Sequence, residues 1–259
     1  MIRTYLGESE RATPSERSSE FSETQFDEAY PDGIENHFWH LARNRLIEAT
    51  LRHGLDREGR VLDVGCGRGL VVRDLRERGF DCWGCELGRP PIAARICPFV
   101  FVGWDFRDLD PAFRSEVCGL LLLDVLEHIP DDISFLRALA EAFPGSQSLV
   151  LTVPARRELW SNYDDYYGHL RRYDQVSLAA VLDEGGFALV RQRYFFQELY
   201  APVLLAAKLA GRRPTEVRPP KHPRLHRSMA ALSGLCSAIV PGSWPGASLV
   251  ALAFRRDAR

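Results

Sequence analysis

The segment Arg60–Leu70, RVLDVGCGRGL, restricts the fold of this chain more than any other part of the sequence. A strand-like run leads into a turn that contains Gly65, Gly67 and Gly69, and a helix-like stretch follows. Glycines at this density let the backbone turn tightly and approach a ligand closely. A strand, a glycine-rich turn and a helix in this order predict the first unit of a parallel α/β sheet, with a ligand beside the turn.

Apolar runs of strand length alternate with helix-like stretches along the rest of the chain, which predicts a parallel sheet with helices on both faces. The run LLLLD, Leu120–Asp124, has no polar alternation, as expected of a central strand buried on both sides. The predicted strands are Arg60–Val64, Asp81–Glu86, Phe99–Gly103, Val117–Asp124, Ser148–Val153, Phe187–Phe196 and Ser248–Arg255, and the predicted helices between them are Leu70–Arg78, Pro91–Ile96, Asp132–Phe143 and Gln175–Asp183.

Two segments fall outside this alternation. Residues 1–33 are rich in Ser, Glu, Thr and Pro, and we expect a flexible acidic tail there, with the folded domain at 34–259. The segment Leu199–Trp244 contains two apolar helix-like stretches, Leu199–Ala210 and Ser228–Val240. We expect a helical hairpin beside the substrate opening, where it acts as a lid or lies at a membrane surface.

The linker of that hairpin is strongly basic. Lys208–Arg227 contains seven lysines or arginines and one glutamate. Such a cluster favours an anionic substrate or membrane headgroups. A solvated loop over the hairpin is the alternative interpretation. Peripheral membrane contact through 208–227, at the inner face of the membrane, is therefore a hypothesis that the sequence leaves open.

Composition and targeting signals limit the cellular context. A formal net charge of −2 over 259 residues argues against a nucleic-acid binder. The first residues have no apolar h-region, and no run reaches about 18 apolar residues, so we expect neither a secretory signal nor a membrane span. Six cysteines then predict reduced thiols in a cytoplasmic protein. Cys82 and Cys85 lie in a predicted strand and would face opposite sides of the sheet, so no metal site is predicted.

Residues near the glycine turn discriminate between cofactors. Glu86 ends the next strand, 21 residues after Gly65, where an acid can accept hydrogen bonds from both hydroxyls of a ribose. The dinucleotide fingerprint G-x-G-x-x-G/A would end at Leu70 and therefore fails. Asp63 carries a carboxylate that would repel a pyrophosphate but suits the ammonium and sulfonium groups of S-adenosylmethionine. We therefore predict S-adenosylmethionine rather than NAD.

VLDVGCGRG resembles the first motif of the class I S-adenosylmethionine-dependent methyltransferases, closest to the small-molecule type 11/12 methyltransferase domains. The resemblance covers roughly Glu35–Arg256, and it includes LLLLDVLEHIPDD and LTVPA, which resemble the fourth and fifth strands of the family. It implies an α/β fold with a Rossmann-like, doubly wound, mostly parallel seven-stranded sheet. The last strand would be antiparallel, with a helical insertion between the last two strands.

The resemblance also implies which residues hold the cofactor. Glu86 matches the ribose-binding acid, and Asp105 matches the acid that contacts the adenine amino group. Trp104 interrupts the usual glycine–acid step, so Asp108 is the alternative. The helix around His37 and Trp39 would close over the methionine end or only cover the core. The predicted cofactor-binding residues are Asp63, Gly65, Cys66, Gly67, Gly69, Glu86, Leu87, Asp105, Asp124, Val125, His128 and Arg43, the last pairing with the methionine carboxylate.

The loop Leu159–Asp174 follows the fifth strand and should overhang the ligand crevice at the carboxyl ends of the strands. His169 is the best proton acceptor in it near neutral pH, and His128 is the second catalytic candidate. Tyr166 and Tyr167 are predicted to wall the acceptor pocket, and Arg171 and Arg172 to hold an acidic acceptor. The alternative is that these residues only anchor the loop.

We therefore predict an enzyme that transfers a methyl group from S-adenosylmethionine to oxygen or nitrogen of a small or lipid-linked acceptor. A S-adenosylmethionine-binding protein without transferase activity, acting through a partner, is the alternative from another class. A NAD-dependent oxidoreductase is the third interpretation. The sequence names neither the acceptor nor the oligomeric state.

Overall fold

Seven strands form one sheet in the computed structural model, which describes residues 21–55, 59–209 and 215–256. The strands are β1 (Arg60–Val64), β2 (Asp81–Glu86), β3 (Val100–Val102), β4 (Val117–Leu123), β5 (Ser148–Pro154), β6 (Phe187–Phe195) and β7 (Ser248–Arg255). Their order across the sheet is β3-β2-β1-β4-β5-β7-β6. The pairs from β3 to β5 are parallel, and β7 runs antiparallel to both β5 and β6. The predicted fold class is confirmed.

Helices cover both faces of the sheet and connect its strands. They are α1 (Glu23–Ala29), α2 (Phe38–Gly54), α3 (Leu70–Glu77), α4 (Pro111–Glu116), α5 (Asp132–Ala142), α6 (Asn162–Tyr166), α7 (Gln175–Glu184), α8 (Gln197–Leu209) and α9 (Pro223–Ile239). The prediction of a helix at Pro91–Ile96 is wrong, because those residues form turns and irregular backbone before a 3₁₀ turn at Cys97–Phe99. Six residues gain too few hydrogen bonds to offset the cost of starting a helix, and Pro98 has no N–H to donate to the Ala94 carbonyl.

The core has two halves, one on each face of the sheet. Successive strand residues alternate between them, with Val61 and Leu121 on one face and Leu62 and Leu120 on the other. Every residue of β4 is buried, as the absence of polar alternation predicts. Cys82 likewise lies on the face opposite to that of Cys85.

The insertion between β6 and β7 is the predicted helical hairpin, built from α8 and α9. Its second helix begins five residues earlier than expected, at Pro223 rather than Ser228. Proline is favourable in the first turn, because its missing N–H would have no helical partner there. α9 packs mainly on α2, and its buried residues are the small Ala230 and Ser233. No helix of the described ranges is both long enough and apolar enough to cross a bilayer.

The segment predicted as a flexible tail differs from the structure in its second part. Residues 1–20 lie outside the described residues. From Phe21 onward the chain packs on the domain through α1, which is capped by Ser22 and buries Phe26. Arg68 donates a hydrogen bond to the Tyr30 carbonyl at 2.8 Å. These contacts join residues distant in sequence, so the polar composition of the segment did not reveal them.

The two leucines Leu120 and Leu232 provide a matched test of this core. Leu120 is fully buried in β4, so Leu120→Ala should lower the free energy of unfolding by about 2–5 kcal/mol. Leu232 is 64 % exposed on α9, so Leu232→Ala should change it by less than about 0.5 kcal/mol. Urea denaturation of both variants measures the difference. Equal losses would contradict the placement of β4 at the centre of the sheet.

Candidate active site

A cavity of about 980 Å³ opens at the carboxyl ends of the central strands. Its wall includes Gly65 after β1, Glu86 at the end of β2, Asp124 after β4 and Pro154 at the end of β5. The strand order reverses between β1 and β4, and ligands of open α/β sheets bind at such a switch point. The volume lies at the upper end of the range for small-molecule sites and accommodates a cofactor with an acceptor.

The glycine turn after β1 requires glycine at two of its positions. Gly65 has a φ of 76°, and a Cβ on it would lie 2.6 Å from a methyl carbon of Val125. Gly67 has a φ of 54° and donates its backbone N–H to Glu86 Oε2 at 2.8 Å. The turn therefore presents bare backbone to the cavity and fixes the acid that ends β2.

Glu86 is the best-placed group for a ribose. Its Oε1 accepts a hydrogen bond from the Gly88 N–H at 2.8 Å, and its Oε2 accepts the one from Gly67. Burial raises the pKa of this carboxyl, although the two backbone donors oppose that shift. Each carboxylate oxygen keeps a lone pair for a further donor. The carboxyl group is thus held rigidly at the cavity wall with accepting capacity left for two hydroxyls.

Three carboxylates, those of Asp63, Glu86 and Asp124, interact electrostatically in this region, where Arg43 supplies a guanidinium to Asp63 and Asp124. Asp63 lies behind the glycine turn, and its Oδ1 has no hydrogen-bond partner among the described residues. Burial raises the pKa of Asp63 to about 7. Arg43 forms an ion pair with Asp124 and lies 4.3 Å from the centroid of the Trp39 ring. This surplus of buried acids fits a ligand that carries positive charge, as S-adenosylmethionine does.

This pairing bears on the prediction for Arg43, which was to hold the methionine carboxylate. In the structure its guanidinium meets the Asp124 carboxylate instead, and its Nε has no partner in the described part of the chain. Asp124 has a φ of 56° and also accepts a hydrogen bond from Thr152 Oγ1 at 3.1 Å. Left-handed backbone at a non-glycine residue costs energy and often occurs at ligand sites.

The cavity wall contains Asp105, the predicted adenine contact, but not its alternative. Asp105 lines the cavity, whereas Asp108 does not. The Asp105 carboxylate accepts hydrogen bonds from the backbone N–H of Arg107 and from its side-chain Nε, at 2.9 and 2.7 Å. Leu87 and Trp104 add apolar wall beside it. An adenine amino group would therefore share this carboxylate with Arg107.

The segment from Phe21 to Tyr30 covers the cavity, and sequence reasoning missed it. The Tyr30 hydroxyl would lie 3.1 Å from a Cβ on Gly67, directly over the glycine turn. Burial raises the pKa of that hydroxyl, with Asp124, Glu86 and Asp63 adding to the shift. Phe21 stacks on Tyr167 with 5.5 Å between ring centroids. The segment assigned to the tail thus contributes Tyr30 to the cavity wall, over the glycine turn.

The part of the cavity where the acceptor is predicted to bind is built around Asp164 in α6. This carboxylate is fully buried and accepts hydrogen bonds from His169 Nδ1 at 2.8 Å and from Arg172 Nε at 2.7 Å. Burial alone would raise the pKa of Asp164, but these two donors outweigh it and hold the pKa below its usual range. Because the Asp164 carboxylate is ionised, it can only accept this hydrogen bond. The proton of a neutral His169 therefore lies on Nδ1, and Nε2 is free to take up another proton.

Two further titratable groups adjoin His169. The His128 ring lies 4.9 Å from the His169 ring, and burial lowers its pKa to about 4, so it is neutral at physiological pH. Glu127 is fully buried, and neither of its carboxyl oxygens has a hydrogen-bond partner within the described ranges. Burial raises its pKa well above the usual range. Potential ligand atoms of the three residues lie within 4.8 Å of one another, so they are close enough to bind one cation.

The structure brings most of the predicted site residues to one cavity, and it leaves four away from the wall. Those that line it are Arg43, Gly65, Gly67, Glu86, Leu87, Asp105, Asp124, Val125, His128, Tyr166, Tyr167, His169 and Arg172. Asp63 and Cys66 are buried behind the wall, and Gly69 begins α3. Arg171 is turned away and forms an ion pair with Asp132 at 2.7 Å, which argues against its predicted acceptor contact.

A family model described as a methyltransferase domain matches residues 38–192. The chain belongs to the class I S-adenosylmethionine-dependent methyltransferases. The matched range runs from α2 to β6 and therefore contains the glycine turn, Glu86 and the His169 loop. Its cofactor is S-adenosylmethionine, which the surplus of buried acids around Arg43 fits.

Curated relatives match only part of the chain. A ubiquinone biosynthesis O-methyltransferase of Marinobacter nauticus is 32% identical over 104 residues, which are 36% of this chain and 44% of that protein. One of the same name from Photorhabdus laumondii is 25% identical over 147 residues, or 50% of this chain and 61% of its own length. The chain thus spans about half the length of the curated relatives it matches.

Solved structures share the fold at low identity. The 1,6-didemethyltoxoflavin-N1-methyltransferase of Burkholderia thailandensis aligns with a TM-score of 0.55 and 21% identity, covering 91% of this chain and 87% of its own. The [4+2]-cyclase SpnF aligns with a TM-score of 0.51 and 16% identity, covering 84% of this chain and 82% of its own. These likenesses show the fold alone, and a cyclase among them means that fold does not determine the reaction.

Glu86→Gln tests the ribose assignment. The substitution keeps the size of the side chain but removes its charge and replaces one acceptor by a donor. It should weaken binding of S-adenosylhomocysteine by about 1.5–3 kcal/mol, because hydrogen bonds to a charged partner are lost. Isothermal titration calorimetry measures the change. Glu77→Gln, at an exposed position of α3, is the control, and equal affinity in both variants would remove Glu86 from the site.

Asp63→Asn should stabilise the ligand-free protein while it weakens cofactor binding. The pKa of Asp63 is raised in the folded protein, so ionising it costs stability as pH rises from about 4 through about 7. The variant should therefore exceed the wild type in free energy of unfolding at pH 8 and lose that advantage near pH 4. Urea denaturation at both pH values, with calorimetry of S-adenosylhomocysteine, gives the two readouts. An advantage that does not vary with pH would contradict the burial of an unpaired carboxyl.

Proposed function

We propose that this protein methylates an oxygen atom of an acceptor that enters beside His169, and that His169 removes the proton. The observation that supports this most directly is the hydrogen bond from His169 Nδ1 to the buried, ionised Asp164. It fixes the imidazole in one orientation and leaves Nε2 as the proton acceptor at the cavity wall. A nucleophile that must lose a proton, such as a hydroxyl, needs such a base.

Arg43, Asp124 and Glu86 would hold the cofactor, with Asp63 acting through its charge from behind the turn. When bound, S-adenosylmethionine supplies a methyl group on a sulfonium. The chain positions the acceptor, excludes water and holds the proton that leaves it. His128 packs against His169. Because its pKa is lowered to about 4, it is neutral and adds no positive charge beside the sulfonium.

The wall around His169 favours an acceptor with a flat apolar part. Phe21 and Tyr167 are stacked, and Tyr163 lies 4.5 Å from Tyr167 between ring centroids. Aromatic walls of this kind bind planar rings by offset stacking. The relatives named as ubiquinone biosynthesis O-methyltransferases also point to oxygen rather than nitrogen as the nucleophile. A phenolic or lipid-linked hydroxyl compound is thus the acceptor class that we propose.

A S-adenosylmethionine-binding protein without transferase activity is the second candidate, since a [4+2]-cyclase has this fold. The two candidates differ in what they produce. Incubation with methyl-labelled S-adenosylmethionine and a library of phenols and membrane-lipid extracts, followed by mass spectrometry, detects any methylated acceptor. Cofactor binding without label transfer to any fraction would favour the second candidate.

His169→Ala should lower kcat by about 10²–10⁴-fold and leave the affinity for S-adenosylhomocysteine unchanged. The His169 ring takes the proton from the methyl acceptor but does not contact the acids proposed to bind the cofactor. The substitution should therefore slow only the chemical step. His222→Ala is the control, because that ring is exposed. A kcat within about twofold of the wild type would reduce His169 to an anchor of the loop.

A further inference from the structure

The hairpin of α8 and α9 is built with its apolar surface facing outward. In α9 the residues that face the domain are small, Ala230 and Ser233, whereas the large apolar side chains are exposed. These exposed residues recur every three or four positions, which places them along one side of the helix. They are Leu225, Met229, Leu232, Leu235 and Ile239, and Leu205, Leu209 and Trp244 extend the surface. We call these eight residues the apolar ridge.

Most of the exposed large apolar side chains in the described part of the chain belong to the apolar ridge. Twelve large apolar side chains are exposed in the described part of the chain, and eight of them belong to the ridge. Single exposed leucines are ordinary on protein surfaces, but several large apolar side chains along one side of one helix mark an interaction site. Ile239 is 72 % exposed, so little within the described domain covers it.

Basic residues flank the ridge. Arg224 and Arg227 lie in the first turns of α9, and Lys208 lies in the last turn of α8. Arg218 and Lys221 lie in the linker between the helices, where Glu216 is the one acid in the described residues of the linker. Leucines on one side of a helix with arginines at its margin are the pattern of a helix that lies in a membrane interface.

We propose that the apolar ridge docks on the surface of an anionic lipid bilayer, with the basic residues at the level of the headgroups. Neither helix is long and apolar enough to span a membrane, so the hairpin would lie in the interface rather than cross it. A second copy of the chain is a poorer occupant, because its α9 carries no acid that could pair with these arginines and lysines. Lipid headgroups of opposite charge turn the same residues into an attraction.

The docked hairpin would also bring the cavity to the membrane. Leu199 and Val203 of α8 line the cavity, and so do Val217 and Arg218 of the linker. The Val217 N–H donates a hydrogen bond to the Glu28 carbonyl at 3.2 Å, which ties the linker to the segment that covers the cofactor side. An acceptor anchored in the bilayer could then enter between hairpin and loop. This last step rests on the proposed function, whereas the docking surface does not.

Vesicle flotation of the full chain tests the proposal without cofactor or acceptor, so its outcome is independent of methyl transfer. The probes are vesicles of phosphatidylcholine alone and of phosphatidylcholine with phosphatidylglycerol, at about 0.15 M and 1 M salt. We expect the protein to float with the anionic vesicles at low salt and much less with neutral ones. Equal recovery with neutral vesicles, or none with either, would overturn the proposal.

Matched variants distinguish binding through the apolar ridge from non-specific adsorption of the protein to lipid. Leu232→Asp combined with Leu235→Asp should reduce partition into anionic vesicles at least roughly tenfold, because apolar area is lost from the buried face. Val176→Asp removes an apolar side chain on α7 that is more exposed than either leucine, at 80 %, and should leave partition unchanged. Arg224→Glu with Arg227→Glu should abolish the preference for anionic lipid.

Two controls keep the outcome decisive. Unchanged thermal midpoints and S-adenosylhomocysteine affinities show that the variants fold. Light scattering after size exclusion reports the oligomeric state. A dimer that becomes monomeric in the double aspartate variant, with vesicle partition as in the wild type, would show that a second copy covers the ridge and would overturn the proposal.

Discussion

The arrangement of acids around Arg43 is the constraint on which the rest of the site depends. Parallel strands deliver Asp63, Glu86 and Asp124 to one edge of the sheet, and α2 supplies one guanidinium against them. The acids cannot all ionise cheaply in a buried place, and the raised pKa of Asp63 expresses that cost. A cationic ligand lowers that cost, so the negative charge that destabilises the ligand-free protein favours binding of the cofactor. The glycine turn contributes only the space that the ligand occupies.

The fold and the cofactor half of the site were predictable because their signals are local. β4 is a short unbroken apolar run. The turn after β1 needs glycine where the backbone is left-handed, with φ of 76° at Gly65 and 54° at Gly67. Glu86 could be found by its distance from that turn. The wrongly predicted helix at Pro91–Ile96 shows the limit, since six residues that end two positions before Pro98 gain too few hydrogen bonds to offset the cost of starting a helix.

The acceptor half could be found only as a collection of residue types. The loop sequence offers Asp164, His169, Arg171 and Arg172 within nine positions, but which arginine meets the aspartate depends on packing. Arg172 does, while Arg171 pairs with Asp132 in another helix. The role of Tyr30 in the cavity wall could not be predicted for the same reason, because its burial depends on contacts with residues far along the chain. Polar composition predicts exposure on average and says nothing of such a contact.

The hairpin exposes a different limit of sequence reading. Charge drew attention to the linker, but the apolar stretches of the hairpin left two alternatives open, a lid over the cavity and a helix at a membrane surface. Periodicity shows that a helix has an apolar side but not which way that side points. Here the small residues Ala230 and Ser233 permit close packing on α2, and the large ones are left for another surface. Since α8 and the linker also line the cavity, whatever the ridge contacts lies beside the acceptor entrance. If both proposals hold, recognition of the acceptor and attachment to its surroundings are functions of one insertion.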